Sequence, residues 1–294
     1  MAEPGDPLGY VAALAYLLPK NLLSYLVGVI ARVSWPKPIG RWFRHAFASV
    51  FRLDMSEAEK PLDDYDTVED VFTRKLKPGA RVVSAPFCSP ADGYLARSEP
   101  LRDDAAVQAK GIDFKLSDLV LGETAVSDAL GRSLDLAWFV TVYLAPHNYH
   151  RVHSPVAGQL EAIRYLPGEL WPVNRVFVQR IPRLFNSNER LVFDIAIEGG
   201  GRLYLTMVGA LNVGRMTSPF LPQEATNGLE RQFSARPKTH RFANPLPLAA
   251  GTELGTFMLG STVVLALDKA ALARFPLVQT TENQPILMGQ SLLQ

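Results

Sequence analysis

Residues 256–264 read Thr-Phe-Met-Leu-Gly-Ser-Thr-Val-Val, a run of aromatic and β-branched residues interrupted by a glycine and a serine. Aromatic and β-branched side chains are typical of a buried β-strand. A glycine inside a strand weakens it and usually marks a bulge or the close approach of another group. On this stretch alone, Gly260 and Ser261 are either a bulge beside a hydroxyl that bonds the backbone, or a reacting pair.

Similar short runs recur from about residue 79 to residue 264, bounded by glycine and proline, for example at residues 93–96, 137–144, 191–197 and 201–208. Many short strands joined by turns predict a β-rich core of sandwich or barrel-like form. The turn Ser-Pro-x-x-Gly occurs twice, at residues 89–93 and 154–158, which suggests two related halves. Residues 216–249 contain five prolines, and they are predicted to form a long irregular excursion.

The first part of the chain has a different character. Residues 9–34 are strongly apolar, and a break at residues 19–21 divides them into two runs, each too short to span a bilayer. Basic and aromatic residues are interleaved after them, as on a surface for anionic lipid headgroups: Lys37, Arg41, Arg44, Trp35, Trp42, Phe43, Phe47 and Phe51. We expect residues 1–75 to form a helical membrane-docking segment. The alternative is a helical hairpin that packs on the protein's own core or forms a dimer contact.

Two further helices are predicted before the β-rich part begins. Residues 55–61 read as one helix stopped by Pro61, and Thr67 and Asp70 have the spacing of a capping pair at the start of another. Residues 76–294 are then expected to form the β-rich domain. The sequence therefore predicts an α+β protein with a helical N-terminal segment.

Composition narrows the possible settings and partners. The formal net charge of the 294 residues is +1, so no global field favours nucleic acid. Cys88 is the only cysteine, which excludes an intrachain disulfide and suits a reducing compartment. Glu3 and Asp6 stand where a secretory or mitochondrial signal would carry basic residues, so we expect a cytoplasmic, bacterial setting.

Three of the five histidines, His147, His150 and His153, lie within seven positions. A metal site, acid–base catalysis and a plain surface loop are all compatible with this cluster, although the zinc-type Cys/His spacing is absent from the sequence. Asp92, in the first Ser-Pro-x-x-Gly turn, completes a possible Asp, His, Ser set. Ser261 does not lie in the Gly-x-Ser-x-Gly turn of many serine hydrolases, so the set favours another use of serine.

Several blocks together resemble the signature sequences of phosphatidylserine decarboxylases, the pyruvoyl-dependent membrane enzymes that make phosphatidylethanolamine. The blocks are Leu-Gly-Ser-Thr at 259–262, Ser-Pro-Ala-Asp-Gly at 89–93, Tyr-His-Arg-Val-His-Ser-Pro at 149–155 and Phe-Asn-Ser-Asn-Glu-Arg at 185–190. Shorter blocks occur in the expected order at 108–111, 166–170 and 208–210.

The resemblance implies that the chain processes itself. Ser261 would attack the preceding carbonyl, and cleavage between Gly260 and Ser261 would yield chains 1–260 and 261–294, with Ser261 converted to a pyruvoyl group. Asp92, His153 and Ser261 match the family's self-processing triad, with His153 as base and Asp92 fixing its tautomer and stabilising the imidazolium. Pyruvoyl would then be the covalent cofactor, and the family's pattern includes no metal.

The same resemblance implies the reaction and its setting. The pyruvoyl ketone would form a Schiff base with the amine of phosphatidylserine and accept electrons as carbon dioxide leaves. His150 matches the histidine implicated in substrate handling and proton delivery. The family further implies a phospholipid substrate, peripheral association with the cytoplasmic side of the bacterial cell membrane, and a homodimer.

Three other functions remain open at the level of sequence. A decarboxylase of a related serine phospholipid would share the same blocks. A serine hydrolase would use Asp92, His153 and Ser261 as a conventional triad without chain cleavage. A non-enzymatic membrane-binding β module would share the Ser-Pro-x-x-Gly turns of biotinyl and lipoyl carriers, although the lysine of a carrier hairpin is missing.

Overall fold

The computed structural model describes residues 18–109, 112–123, 125, 127–211, 215–221, 226, 236–258 and 261–294. Its helices are α1 (Lys20–Ala31), α2 (Lys37–Phe51), α3 (Val68–Phe72), α4 (Leu116–Leu121), α5 (Arg175–Val178), α6 (Leu184–Ser187) and α7 (Lys269–Arg274), with a 3-10 turn at Leu62–Asp64. Its strands are β1 (Gly93–Pro100), β2 (Ala105–Ala109), β3 (Ile112–Lys115), β4 (Leu136–Leu144), β5 (Arg151–His153), β6 (Gly158–Leu166), β7 (Arg190–Ile197), β8 (Arg202–Val208), β9 (Met216–Thr217), β10 (Lys238–Leu248), β11 (Glu253–Phe257), β12 (Ser261–Asp268) and β13 (Gln284–Ile286). The predicted α+β class is confirmed.

An antiparallel sheet of eight strands forms the centre of the molecule, in the order β10-β6-β7-β8-β12-β4-β1-β13. Two smaller sheets accompany it, β5-β11-β9 and β2-β3. Strand β12 lies between β8 and β4, and its residues 261–267 are all buried. A strand buried on both faces reads as a continuous apolar run, which explains the Val-Val-Leu-Ala-Leu sequence at 263–267.

The stretch at residues 256–264 belongs to two strands rather than one. Strand β11 ends at Phe257 in the three-stranded sheet, and β12 begins at Ser261 in the eight-stranded sheet. The expected bulge at Gly260 falls outside the described residues. The change of sheet places Ser261 at the first position of a central strand, where its partner across the ladder is Leu144 on β4.

The two Ser-Pro-x-x-Gly turns have the same local structure, as the sequence suggested. Ser89 donates its hydroxyl to the Ala91 carbonyl at 2.8 Å, and Ser154 donates to the Val156 carbonyl at 2.7 Å. The glycine that closes each turn begins a strand, β1 or β6. In both places a Cβ would lie within 2.3 Å of a carbonyl oxygen on the neighbouring strand, so only glycine fits.

The prediction of one irregular excursion over residues 216–249 is wrong in its second half. Strand β10 occupies Lys238–Leu248 and pairs with β6 over most of its length. Its prolines, Pro245 and Pro247, are compatible with a strand because β10 lies at the end of the sheet order, where one side needs no ladder hydrogen bonds. The pairing register shifts between Arg241 and Leu246.

The N-terminal helices are partly as predicted. Helix α1 covers the second apolar run, and α3 begins with the predicted capping box between Thr67 and Asp70. Residues 10–17 of the first run lie outside the described residues. The helix predicted at 55–61 is wrong, because backbone hydrogen bonds join Glu57 and Glu59 to residues 75–77 across a short bridge. That pairing satisfies the backbone groups a helix would have satisfied.

Candidate active site

Ser261 is fully buried at the start of β12. Its hydroxyl oxygen Oγ has no hydrogen-bond partner in the described part of the chain. A buried hydroxyl without a partner costs free energy, so such a group usually has a role in chemistry or ligand binding. The peptide bond that precedes it involves Gly260, which lies outside the described residues.

Asp92 lies in the turn before β1, and its carboxylate is buried. The Arg81 guanidinium binds both carboxylate oxygens, with 2.8 Å between Nε and Oδ1. The Met288 backbone N–H donates to Oδ1 at 2.8 Å. Arg81 also pairs with Glu57, so one guanidinium connects the Asp92 turn to the segment that precedes the eight-stranded sheet. These contacts give the buried carboxylate a bidentate ion pair and a backbone hydrogen bond.

His153 lies at the end of β5, and both of its ring nitrogens have partners. Nδ1 lies 2.9 Å from the Gly251 carbonyl, which can only accept a hydrogen bond, so Nδ1 carries the proton. Nε2 therefore accepts from the Tyr149 hydroxyl at 3.1 Å. Burial lowers the pKa of His153 below its ordinary value, which favours the neutral ring. Gly251 thus fixes the tautomer, the role the sequence assigned to Asp92, whose carboxylate is occupied by Arg81.

His150 is completely buried and is the second neutral histidine of the site. Its Nδ1 donates to the Asn148 carbonyl at 2.8 Å, which leaves Nε2 as an acceptor without a partner in the described structure. The Phe72 ring packs on the imidazole, with 4.0 Å between centroids. Burial, with a smaller contribution from the positive charge of Arg74, lowers the pKa of His150 to about 3.

Backbone pairing brings these residues to adjoining elements. The His153 backbone N–H donates to the Pro90 carbonyl at 2.8 Å, so the turn that carries Asp92 lies next to β5. Strand β11 runs antiparallel to β5, with Glu253 opposite His153 and the Phe257 N–H bonded to the His150 carbonyl. His150 is therefore beside the end of β11 that leads to Ser261. The structure joins neither histidine to the Ser261 hydroxyl by a hydrogen bond.

Sequence reasoning missed four residues that complete this region: Arg74, Arg81, Tyr149 and Gly251. The two arginines lie in Arg-Lys-Leu-Lys-Pro-Gly-Ala-Arg at 74–81, where nothing in the sequence separates them from the exposed lysines between them. Tyr149 was visible only as a member of the histidine block. Gly251 acts through its backbone carbonyl, which leaves no signal in the side-chain sequence.

The helices before the site have their apolar side chains on the outside. In α1 the buried residues are Lys20 and Ser24, and in α2 they are Gly40, Arg44 and Ala48. Exposed large apolar side chains are concentrated here: Leu18, Leu22, Leu26, Val29, Ile30, Val33, Trp35, Ile39, Trp42 and Val50. Such a concentration is typical of a surface that contacts a membrane or another protein. Within the described ranges, no helix has the length and apolar character needed to cross a bilayer.

Polar contacts attach α1 to the loop after β6. The Asn21 amide donates to the Gly168 carbonyl at 3.0 Å, and Lys20 pairs with Glu169 at 3.1 Å. The Lys20 ammonium also lies 3.9 Å from the centroid of the Trp171 ring. These contacts explain why the polar side of α1 faces inward while its apolar side faces solvent.

The fold and the site define an α+β enzyme with an interior reactive centre and an outer apolar surface. The reactive centre contains a serine buried inside the sheet and two neutral histidines, and the outer surface is formed by helices that expose apolar side chains. A family model described as phosphatidylserine decarboxylase matches residues 68–294. The phosphatidylserine decarboxylase proenzyme of Brevibacillus brevis is 35% identical over 283 residues, which is 95% of each chain.

Further relatives give the same result. The phosphatidylserine decarboxylase proenzyme of Alcanivorax borkumensis is 38% identical over 259 residues, 86% of this chain and 85% of the relative. That of an Anaeromyxobacter species is 37% identical over 262 residues, 88% of this chain and 89% of the relative. The chain belongs to the phosphatidylserine decarboxylase family, which confirms the resemblance seen in its sequence blocks.

Proposed function

We propose that this chain removes the carboxylate of phosphatidylserine to give phosphatidylethanolamine, after it has converted its own Ser261 to a pyruvoyl group. Membership of the family supports the reaction, and the names of the relatives describe proenzymes. The observation that carries the proposal is the buried hydroxyl of Ser261, which has no hydrogen-bond partner in the described structure although it lies at the start of a central strand.

Self-processing would proceed by attack of Ser261 Oγ on the Gly260 carbonyl carbon. An ester forms as the peptide C–N bond breaks, and the nitrogen takes a proton. Loss of the α-proton and cleavage of the bond between Cβ and the ester oxygen then expel the Gly260 carboxylate and leave dehydroalanine. Dehydroalanine takes up water and releases ammonia, which leaves the pyruvoyl ketone. Cleavage there would leave residues 262–268 paired with β4 and β8, so the short chain would stay within the sheet.

His153 is proposed as the base for the first step. Its Nε2 lone pair is held ready by the Nδ1 contact to Gly251, but in the structure it accepts from Tyr149. For His153 to take the Ser261 proton, that bond must be exchanged for one to Oγ. Asp92 would stabilise the resulting imidazolium through space, because its own hydrogen bonds go to Arg81 and Met288.

The ketone of a pyruvoyl group at position 261 would supply the electron sink for decarboxylation. His150 is proposed to move the protons. Burial keeps the ring neutral near pH 7 in the unliganded site, so His150 must first accept a proton, and its Nε2 has no partner in the described structure. We infer that it takes this proton from the substrate ammonium and returns it to the α-carbon after carbon dioxide has left.

The remaining proposals concern organisation and setting. We propose that residues 1–75 dock on the membrane and residues 76–294 form the catalytic domain. The exposed apolar side chains of α1 and α2 support peripheral binding, and the basic residues interleaved with them support an anionic, cytoplasmic leaflet of a bacterial cell membrane. A homodimer of processed chains is proposed from the family alone.

The experiment that tests the function replaces Ser261 with alanine. Intact-mass analysis of the purified protein should show two chains for the wild type, residues 1–260 and a 34-residue chain without a free amine, because 294 − 260 = 34. Ser261→Ala should give one uncleaved chain and no release of carbon dioxide from phosphatidylserine vesicles. Ser291→Ala, which removes an exposed serine from the same short chain, should cleave and react normally.

Two results would reject the proposal. Decarboxylation by Ser261→Ala would exclude a pyruvoyl group at this position. A wild-type chain that stays intact but is labelled at Ser261 by a fluorophosphonate would instead indicate a serine hydrolase.

A further inference from the structure

Arg74 follows α3 by two residues, and the residue is 4% exposed. One nitrogen, Nη2, donates to the His147 carbonyl at 3.2 Å. The other two, Nε and Nη1, are buried and have no hydrogen-bond partner in the part of the chain that the structure describes. Burial lowers the pKa of Arg74, while Tyr65, Asp92 and Asp54 oppose this shift only through space. Buried charged donors that lack partners are expensive, and they are commonly satisfied by a ligand.

Several buried side-chain atoms have no hydrogen-bond partner in the described structure, and we consider three of these residues together. With Arg74 they are His150, through Nε2, and Ser261, through Oγ, and both of these residues are fully buried. The segment of residues 144–150 connects all three. Leu144 pairs with Ser261 across the ladder. Arg74 donates to the His147 carbonyl, and its charge lowers the pKa of His150. A polar ligand could therefore bind here. It would accept hydrogen bonds from two N–H groups of the Arg74 guanidinium, donate one to the His150 imidazole and contact the Ser261 hydroxyl.

A purely structural role explains only part of this arrangement. The contact between Nη2 and His147 anchors the loop that carries His150, and a single lysine donor could make that contact. It does not use Nε or Nη1. The planar guanidinium with several fixed donors is suited to oxyanions such as phosphate and carboxylate.

The position of Arg74 between the apolar helices and the reactive centre also corresponds to the position of the phosphate in a phospholipid. Phe47 on the membrane-facing helix α2 contacts Phe72, with 6.1 Å between ring centroids, and Phe72 packs on His150. Arg74 follows Phe72 by two residues, so it lies in the segment that joins the apolar helices to the reactive centre. In the substrate, the phosphate occupies the corresponding place between the acyl chains and the serine amine.

We propose that Arg74 binds the phosphate of the substrate headgroup, an inference that rests on the proposed function. The substrate carboxylate is the other anion within the headgroup, but it leaves as neutral carbon dioxide. A guanidinium paired with that group would stabilise the ground state more than the transition state. The phosphate keeps its charge in substrate, intermediate and product, so its ion pair with Arg74 can hold the headgroup throughout the reaction.

The test compares Arg74→Gln and Arg74→Lys with Lys75→Gln, which removes an exposed positive charge from the neighbouring residue. Binding of sn-glycero-3-phosphoethanolamine, which has the phosphate but no carboxylate, is measured by calorimetry on processed enzyme. N-acetylserine, which has the carboxylate but no phosphate, is measured in parallel. Cleavage is followed by intact mass, and KM and kcat are measured with a short-chain phosphatidylserine below its micelle concentration.

We expect Arg74→Gln to weaken binding of the glycerophosphate probe by about tenfold or more, as for loss of a charged hydrogen bond. KM should rise by a similar factor while kcat changes less, and Arg74→Lys should be intermediate. N-acetylserine binding, chain cleavage and all properties of Lys75→Gln should be unchanged.

Three results would overturn the assignment. Unchanged binding of the glycerophosphate probe would show that Arg74 does not contact phosphate. Loss of N-acetylserine binding alone would assign Arg74 to the carboxylate. Failure of both Arg74 variants to cleave would give the residue a role in folding the 144–150 loop instead. Because probe binding does not require turnover, these results are distinguishable from an absence of decarboxylase activity in the wild type.

Discussion

The N-terminal helices and the interior around Ser261 depart from ordinary protein structure in opposite ways. Helices α1 and α2 bury Lys20, Ser24 and Arg44 and expose large apolar side chains such as Trp42 and Val50. The interior buries polar groups, and several of them have no partner in the described structure. Apolar side chains are normally inside, and buried polar groups are normally hydrogen-bonded.

One kind of ligand resolves both departures. A bilayer would cover the exposed apolar side chains, and the headgroup of a lipid in that bilayer would supply partners for the buried polar groups. The two regions together therefore give the proposed substrate a physical basis that neither region provides alone. It also separates two kinds of buried polar group, those already satisfied by the protein, such as Asp92, and those left for a ligand, such as His150 Nε2.

The largest expected effect is a loss of stability when the buried, fully hydrogen-bonded carboxylate of Asp92 loses its partner. Arg81→Met would leave the buried Asp92 carboxylate without its cation, and breaking one side of a buried ion pair costs about 3–5 kcal/mol. We expect the melting temperature measured by calorimetry to fall by roughly 10 °C. Arg183→Met, which breaks a half-exposed pairing with Asp118 and Glu123, should cost about 1 kcal/mol or less. Equal losses for the two variants would show that the Arg81 pair is no more important than a surface one.

A smaller effect concerns the neutral state of His150. Its pKa is about 3 in the folded protein and about 6.5 in an unfolded chain, so between these values the unfolded state binds the extra proton. Stability from this group is therefore complete well above pH 6.5 and falls as the pH drops, by about 1 kcal/mol between pH 6.5 and 5.5 and by about 1.4 kcal/mol per unit below that. Denaturant unfolding at pH 6.5 and 5.5 measures this loss of stability. The measurement uses the Ser261→Ala variant, because that variant is proposed to remain one chain.

His150→Gln should reduce this acid sensitivity, whereas His240→Gln, which changes an exposed histidine on β10, should leave it intact. Burial also lowers the pKa of His153, so a residual dependence of the same sign should persist in His150→Gln. An unchanged slope in His150→Gln would mean that His150 binds protons equally in the folded and unfolded protein, and that burial does not lower its pKa.

The smallest effect tests the apolar helices. Trp42 is 65% exposed, and Trp42→Ala should weaken binding to anionic phospholipid vesicles roughly fivefold to tenfold, since burial of a large side chain contributes about 1.5–3 kcal/mol when complete. Cosedimentation measures it, with Leu130→Ala as a control that removes an exposed apolar residue outside the helices. If both variants bind vesicles as the wild type does, α2 is not a membrane contact.

The fold was predictable where sequence patterns were local. Strands β4, β7 and β8, the capping box at Thr67 and the paired Ser-Pro turns were all predicted, because each depends on neighbouring residues. The failures at residues 55–61 and 238–248 have a common cause. In both segments, hydrogen bonds to distant chain, residues 75–77 and strand β6, replaced the structure that local propensity favoured.

For the candidate site, the sequence by itself determined the family and nominated Asp92, His150, His153 and Ser261. This was possible because side-chain chemistry and the order of motifs can be read directly from the linear sequence. Only the tertiary structure decided their environment. It paired Asp92 with Arg81 and placed the Gly251 carbonyl on Nδ1 of His153. Among the described residues, it left atoms of Arg74, His150 and Ser261 without a hydrogen-bond partner. Burial and hydrogen bonding depend on which distant segments meet, and that information appears only when the chain is folded.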